Sequence, residues 1–317
     1  MIRFDFVGAK LLLFCDNSIK KRNFHSRCSR KTGGASTIAN LFAIVFNLHY
    51  LCSQIQKTNQ MDNKRPLILI SNDDGYTYNG IKTLIKVART LGDVFVVAPA
   101  VHQSGKSSSI TFINPVRTIQ VANEPGFTAY LATGTPADCV KLALSQLMAD
   151  RLPDIVLAGI NHGYNSGLNT LYSGTMACVF EGILHGVPSV AFSFGDYSSD
   201  ADTSVCEPVV KHVTERVLKG GIPKDVCLNV NIPKMDGGFK GMKVTTGDMG
   251  RWVNEWEHRV DPTGRDYYWL TGEFEIADKD EGLTDYYWLQ RGYVTVTPTH
   301  VDQTDFASMA AISDLLL

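Results

Sequence analysis

Three short runs of unbroken apolar sequence constrain this chain most, "LILI" (Leu67–Ile70), "VFVVA" (Val94–Ala98) and "IVLAGI" (Ile155–Ile160), with a fourth, "VAFSF" (Val190–Phe194), interrupted by Ser193 alone. A strand with one face in water alternates apolar and polar residues. A strand that does not alternate is covered on both faces, the habit of parallel sheets. Between the runs lie segments of helical period. In "GIKTLIKVARTLG" the apolar residues Ile81, Leu84, Ile85, Ala88 and Leu91 share one stripe, and Gly92 is a C-terminal stop. "TPADCVKLALSQLM" opens with Thr135 at the N-cap, Pro136 in the first turn and Asp138 three residues after the cap. "SGTMACVFEGILHG" is a third helix, ended by Gly186 and Pro188, and "EPVVKHVTERVLKGG" a fourth. "TAYLA" and "VCLNVNIP" add strands. Strands separated by helices predict an α/β fold, a three-layer arrangement around an open, mostly parallel sheet.

The chain divides into three regions. Residues 61–236 hold this alternating core. Residues 237–317 change character: "RWVNEWEHRV", "DYYWLTGEF" and "DYYWLQRGYVTVTP" are rich in Trp, Tyr and Gly, which predicts a β-rich arm and C-terminal segment that packs on the core or on another subunit. Residues 1–60 differ again. They carry nine basic side chains against Asp5 and Asp16, leaving 21 basic and 30 acidic residues to the remainder. Their most apolar stretch, "TIANLFAIVFNLHYL" (Thr37–Leu51), is shorter than the roughly twenty residues of a bilayer span and is broken by Asn40, Asn47 and His49. A targeting peptide is one reading of basic residues ahead of an apolar run. The other, preferred here, is that Met61 begins the working protein and residues 1–60 are upstream sequence.

The acidic balance of residues 61–317 argues against an extended nucleic-acid partner. The seven cysteines are scattered without a CxxC pair, which fits a reduced, cytoplasmic compartment and small buried thiols better than a disulfide framework. No segment predicts a membrane partner.

In open α/β sheets, ligands bind beyond the carboxyl ends of the strands. Polar residues collect at those ends. After the first strand come Asn72, Asp73 and Asp74, then Gly75; after "VFVVAPA" comes a loop with Ser104; after "IVLAGI" come Asn161, His162, Gly163 and Asn165. Two carboxylates, a hydroxyl and an amide carbonyl are hard oxygen donors that suit Mg²⁺, Mn²⁺ or Ca²⁺ rather than zinc. Two adjacent carboxylates repel each other, and a cation between them removes the repulsion. Downstream, Ser173, Gly174 and Thr175 open a helix, where free N–H groups and the helix dipole favour a phosphate, with Asn165 in reach of the same oxygens. Each short pattern taken singly is more often a turn or a cap. Their joint occurrence at successive strand ends favours a site for phosphoryl chemistry. The spacing lacks the DxD of haloacid-dehalogenase-type phosphatases, and no covalent nucleophile stands out.

The blocks "LILISNDDGYTYNGI", "VVAPAVHQSGKSSSIT", "TGTPADCVKLAL", "DIVLAGINHGYNSGLNTLYSGTMACVFEG" and "GVPSVAFS", in this order, resemble the SurE family of survival proteins, which are 5'/3'-nucleotidases. Weaker similarity continues through "LNVNIP", "RW", "DYYWLTGE" and "GYVTVTPTH"; residues 1–60 are not covered. The resemblance implies a Rossmann-like, metal-dependent phosphomonoesterase (5'-nucleotidase and 3'-nucleotidase) acting on nucleoside monophosphates and on short polyphosphate. It implies one divalent metal ion per subunit, Mg²⁺ or Mn²⁺, held by Asp73, Asp74, Ser104 and Asn161. A carboxylate beside a metal-polarised water is placed to accept its proton, a role expected of Asp73 or Asp74. Asn165, Ser173, Gly174 and Thr175 would line the phosphate site, and a late family histidine matches His300. The family forms homodimers or homotetramers through its C-terminal arm. Ala158 departs from a more usual serine. Two other functions fit the same residues: a different metal-dependent nucleotide enzyme, such as a nucleotide-sugar transferase, and a non-catalytic nucleotide or metal sensor.

Overall fold

The computed structural model describes residues 65–277 and 281–316, together with the backbone of two short antiparallel strands, β1 (Phe4–Val7) and β2 (Lys10–Leu13). The expectations for Thr37–Leu51 and for a start at Met61 lie outside the described residues. Residues 1–64 and 65–317 form separate units, and the main sheet with its helices belongs to the second.

The unbroken apolar runs form the centre of a nine-stranded sheet. In chain order its strands are β3 (Leu67–Ser71), β4 (Asp93–Pro99), β5 (Thr118–Glu124), β6 (Phe127–Ala132), β7 (Ile155–His162), β8 (Ser189–Phe194), β9 (Val226–Ile232), β10 (Met242–Val244) and β15 (Val294–His300). Across the sheet they run β10-β15-β9-β8-β7-β3-β4-β6-β5. The six from β9 to β6 are parallel, whereas β15 runs antiparallel to β9 (and parallel to β10) and β5 antiparallel to β6. The order reverses between β3 and β7, the two strands from which the chain winds in opposite directions.

Both faces are covered, as the absence of alternation required. Ile68 and Ile70 of β3 point toward α1 (Asn79–Leu91) and α4 (Glu207–Gly220), among Leu84, Val87, Val210 and Val213. Leu69 points the other way, toward α2 (Pro136–Leu142) and α3 (Gly174–Leu184), among Val140, Met176 and Val179. Each such side chain contributes about 1.5–3 kcal/mol on burial. The capping box of α2 forms as the sequence predicts: Thr135 Oγ1 accepts from the N–H of Asp138, and the Asp138 carboxylate accepts from the N–H of Thr135. Cys139, Cys178, Cys206 and Cys227 are buried free thiols, and burial pushes the thiols of Cys206 and Cys227 up to about 12.

The region after residue 237 is only partly an arm. Strands β10 and β15 return to the main sheet, with β15 paired along the whole of β9. What projects is a ribbon: β11 (Arg251–Val253) pairs with β14 (Glu273–Glu275), and beyond it β12 (Trp256–Val260) pairs with β13 (Asp266–Leu270), every residue of which is exposed. The second "DYYWL", expected to continue the β-rich pattern, is instead helix α5 (Asp285–Leu289). Thr284 caps it by accepting from the N–H of Tyr287. The chain closes with α6 (Met309–Leu316). No helix among the described residues is long and apolar enough to cross a membrane.

Candidate active site

The polar residues after β3 and β7 meet at the point where the strand order reverses. Asn72, Asp73 and Asp74 come after the last residue of β3, so strand alternation no longer governs them. Gly75, at φ +108°, turns the chain under the β4 loop. The two carboxylates diverge but stay on one rim, each only 3 % exposed. Asp73 faces α3, where Thr175 Oγ1 donates to its Oδ1 at 2.5 Å. Asp74 faces the end of β7, where His162 Nδ1 lies 2.8 Å from its Oδ2; the half-exposed His102 lies 3.7 Å from Oδ1.

Burial, then repulsion from Asp74, pushes the Asp73 carboxyl up to about 6, against the opposing effect of the Thr175 hydroxyl. The hydrogen bond that His162 makes to Asp74 raises the imidazole above its ordinary value. The two imidazoles meet Asp74 and, among the described residues, leave Asp73 without a cationic partner in contact, and a divalent cation between the carboxylates offsets the cost of burying both. The neighbouring atoms fit one. Asn161, at the end of β7, spends its Nδ2 on the carbonyl of Gly163 at 2.9 Å, which leaves its Oδ1 for a cation. Asn72 Oδ1 is buried without a hydrogen-bond partner. The N–H of Gln103 donates to the carbonyl of Asp73 at 2.8 Å, bringing the exposed Ser104 to the same rim.

The second half of the site arrives on α3. Ser173 is its N-cap, its Oγ accepting from the N–H of Met176. A Cβ on Gly174 would stand 2.7 Å from Cβ of Asp73 and 3.0 Å from Asp73 Oδ2, so the helix N-terminus abuts the carboxylate pair because the residue has no side chain. The Thr175 hydroxyl, expected as a phosphate donor, is instead directed onto Asp73, which makes it a support for the carboxylate. The start of α3, like any helix N-terminus, presents N–H groups of the kind that can receive an anion. Asn165 is held by a polar network: its N–H donates to Asn231 Oδ1, its Nδ2 to Ser193 Oγ, and its carbonyl accepts from Asn229 Nδ2.

His300 is not at this site. It pairs with Val226 at the amino end of β9, whereas the site lies at the carboxyl ends of the parallel strands. The antiparallel direction of β15 carries its last residue to the opposite rim within the subunit. In turn the structure gives roles to Asn72 and His162, which the expected ligand set left out, and adds Asn229 and Asn231. The last two had a signal: asparagines two apart share one face of a strand whose faces should both be apolar.

Residues 68–254 match the family model of the Survival protein SurE. The chain is 44% identical over 249 residues to a protein of Phocaeicola vulgatus named 5'-nucleotidase SurE, covering 78% of this chain and 96% of that protein. The chain belongs to the SurE family. A Christiangramia forsetii protein of the same name is 46% identical over 248 residues, covering 77% of this chain and 94% of the relative. The crystal structure of the SurE protein from Aquifex aeolicus superposes with a TM-score of 0.68 at 38% identity, over 79% of this chain and 99% of that one. The order of strands and the rim that carries the carboxylate pair therefore belong to a SurE fold, and the matched span holds every proposed site residue except His300.

Proposed function

We infer that the chain is a metal-dependent nucleotidase, a phosphoric monoester hydrolase that releases phosphate from nucleoside monophosphates. One observation carries the reading: a buried pair of carboxylates at the switch point of the sheet, abutted by the N-terminus of α3. Asp73, Asp74, Ser104 and Asn161 would hold one divalent cation per subunit, Mg²⁺ or Mn²⁺, which when bound supplies Lewis-acid charge to a phosphoryl oxygen and acidifies a water. The chain's own groups do the rest. Ser173 caps α3 and leaves its first N–H groups directed at the phosphoryl oxygens, where charge grows in the transition state. Thr175 and His162 hold Asp73 and Asp74 in place, one on each side. A carboxylate of this pair takes the proton of the attacking water. Asn165, fixed by Asn229, Asn231 and Ser193, orients the phosphate at the far side.

The reading includes 3'-monophosphates and short polyphosphate as further substrates, and a cytoplasmic homodimer or homotetramer. The exposed Trp256, Tyr268, Trp269 and Leu270 of the ribbon support an oligomer. Phosphate release from a panel of 5'- and 3'-nucleotides, with Mg²⁺, with Mn²⁺ or after chelation, tests the function. Metal-dependent release from monophosphates is the expected result, and nucleotide binding without turnover would identify a sensor instead. Asp73→Asn should abolish nearly all metal-dependent release; activity close to wild type removes Asp73 from the site.

A further inference from the structure

Two buried carboxylates stand apart from the carboxylate pair at the switch point. Asp285 and Asp248 are both 0 % exposed. Asp285 begins α5, and its carboxylate accepts from three backbone N–H groups: Gly167 at 2.8 Å through Oδ2, and Asp248 at 3.0 Å and Tyr286 at 2.8 Å through Oδ1. Asp248 accepts from the N–H groups of Gly250 and Ala277 and from Thr284 Oγ1, so each carboxylate helps to place the other's segment. A carboxylate accepting several backbone N–H groups forms strong, directional bonds, and their geometry is lost if one oxygen becomes a donor.

The segment these groups hold leads straight into the phosphate cradle. Gly167 opens a 3-10 turn, Gly167–Tyr172, which runs without a break into Ser173, the cap of α3. A Cβ on Gly167 would fall 2.2 Å from the carbonyl oxygen of Asp248, so the turn lies flush against that residue. The N–H of Leu168 donates to the same carbonyl. Trp252 Nε1, from the base of the ribbon, donates to Asn169 Oδ1 at 2.8 Å. At its other end the turn holds the loop that carries Ser104, for Ser107 donates to the carbonyls of Tyr172 and Leu171. One short turn thus joins the helix N-terminus, the Ser104 loop and the C-terminal third of the chain.

We propose that Asp285 is a positioning residue for phosphate binding, fixing the Gly167–Tyr172 turn so that Ser173 and the first N–H groups of α3 stand where a phosphoryl group is bound. Asp285 bonds to neither Asp73 nor Asp74, the two charged metal ligands, and reaches Ser104 only through the turn, so its loss falls more heavily on phosphate than on the metal. The inference depends on the phosphate role proposed for Ser173–Thr175.

The test compares wild type with Asp285→Asn in three measurements: Mn²⁺ binding by calorimetry, inorganic phosphate binding to the Mn²⁺-loaded protein by calorimetry, and KM against kcat for a nucleoside monophosphate. The expected result is phosphate affinity down tenfold or more, Mn²⁺ affinity lowered much less than that, and KM raised more than kcat is lowered. Unchanged phosphate affinity in a folded variant, or an equal loss of Mn²⁺ affinity, overturns the proposal and reduces Asp285 to a folding contact. Should Asp285→Asn fail to fold, Trp252→Phe loosens the same turn from a partly exposed position. Phosphate affinity weakened severalfold supports the proposal, and wild-type affinity overturns it. If wild type binds phosphate but turns over no nucleotide, the functional reading fails while the positioning is still read from phosphate binding.

Discussion

Adding one methyl group at Gly174 tests the joint between the two halves of the site. In Gly174→Ala the new Cβ would sit 2.7 Å from Cβ of Asp73 and 2.9 Å from Cγ of Pro136, where ordinary contact begins at 3.4 Å. The shortfall is about 0.7 Å against Asp73. Both neighbours are constrained: Pro136 is a rigid ring in the first turn of α2, and Asp73 is buried and tied to Thr175. Relief therefore comes from withdrawing α3 or displacing Asp73. Overpacking of this kind costs about 1–3 kcal/mol of stability, offset by up to about 1 kcal/mol for replacing glycine within a helix. The net change in Tm is small, of order a few degrees for a protein of this size. Activity should respond far more, because a displacement approaching 1 Å between reacting groups costs on the order of 100-fold. The expected outcome is a folded protein by calorimetry with kcat/KM for a nucleoside monophosphate down by roughly 100-fold. If kcat/KM stays within twofold of wild type while the fold is intact, the close approach of α3 to Asp73 does not matter to catalysis and the two-part reading of the site is wrong.

Three further outcomes are expected. Thr175→Val removes the hydroxyl from Asp73 at nearly constant volume. Loss of a buried bond to a charged group costs about 1.5–3 kcal/mol, so metal-dependent kcat/KM should fall by more than tenfold, with Thr175→Ser restoring most of it. His300→Ala should leave kcat/KM within about twofold, since β15 carries this residue to the rim opposite the site; a large loss would require His300 to act in another subunit. Burial of Asp138 acts to raise its carboxyl, but hydrogen bonds from Thr111 and Thr135 outweigh it and hold the group below its ordinary value of 3.8. A lowered folded pKa stabilises above the unfolded value and ceases to do so as pH falls through the folded one. Denaturant titrations should therefore show wild type losing its margin over Asp138→Asn only below about pH 4; a margin lost already between pH 7 and 5 contradicts this.

Periodicity and caps were enough for much of the fold. The unbroken runs determined a parallel sheet covered on both faces, because only burial on two sides tolerates them. The pattern "TPAD" determined a helix start, because its bonds are local. The same local reasoning missed β5, whose residues are mostly exposed, since an edge strand owes its state to a neighbour rather than to its own pattern. It also placed hard oxygen donors at successive strand ends, and the sheet brought these to one rim.

The pentapeptide "DYYWL" marks where sequence stopped being sufficient. At Asp266–Leu270 it is a strand, paired residue by residue with Trp256–Val260; at Asp285–Leu289 it is a helix. Five identical residues have one set of propensities, so context decides: Thr284 caps the second copy, and buried Asp285 collects the N–H groups of Gly167 and Asp248. The first copy has a partner strand and no cap. Likewise the sequence supplied Asp73, Thr175 and His300 as candidates for the site. Only the tertiary structure turned the Thr175 hydroxyl onto Asp73 and sent His300 to the other rim, because strand direction and helix approach are set by contacts far apart in the chain.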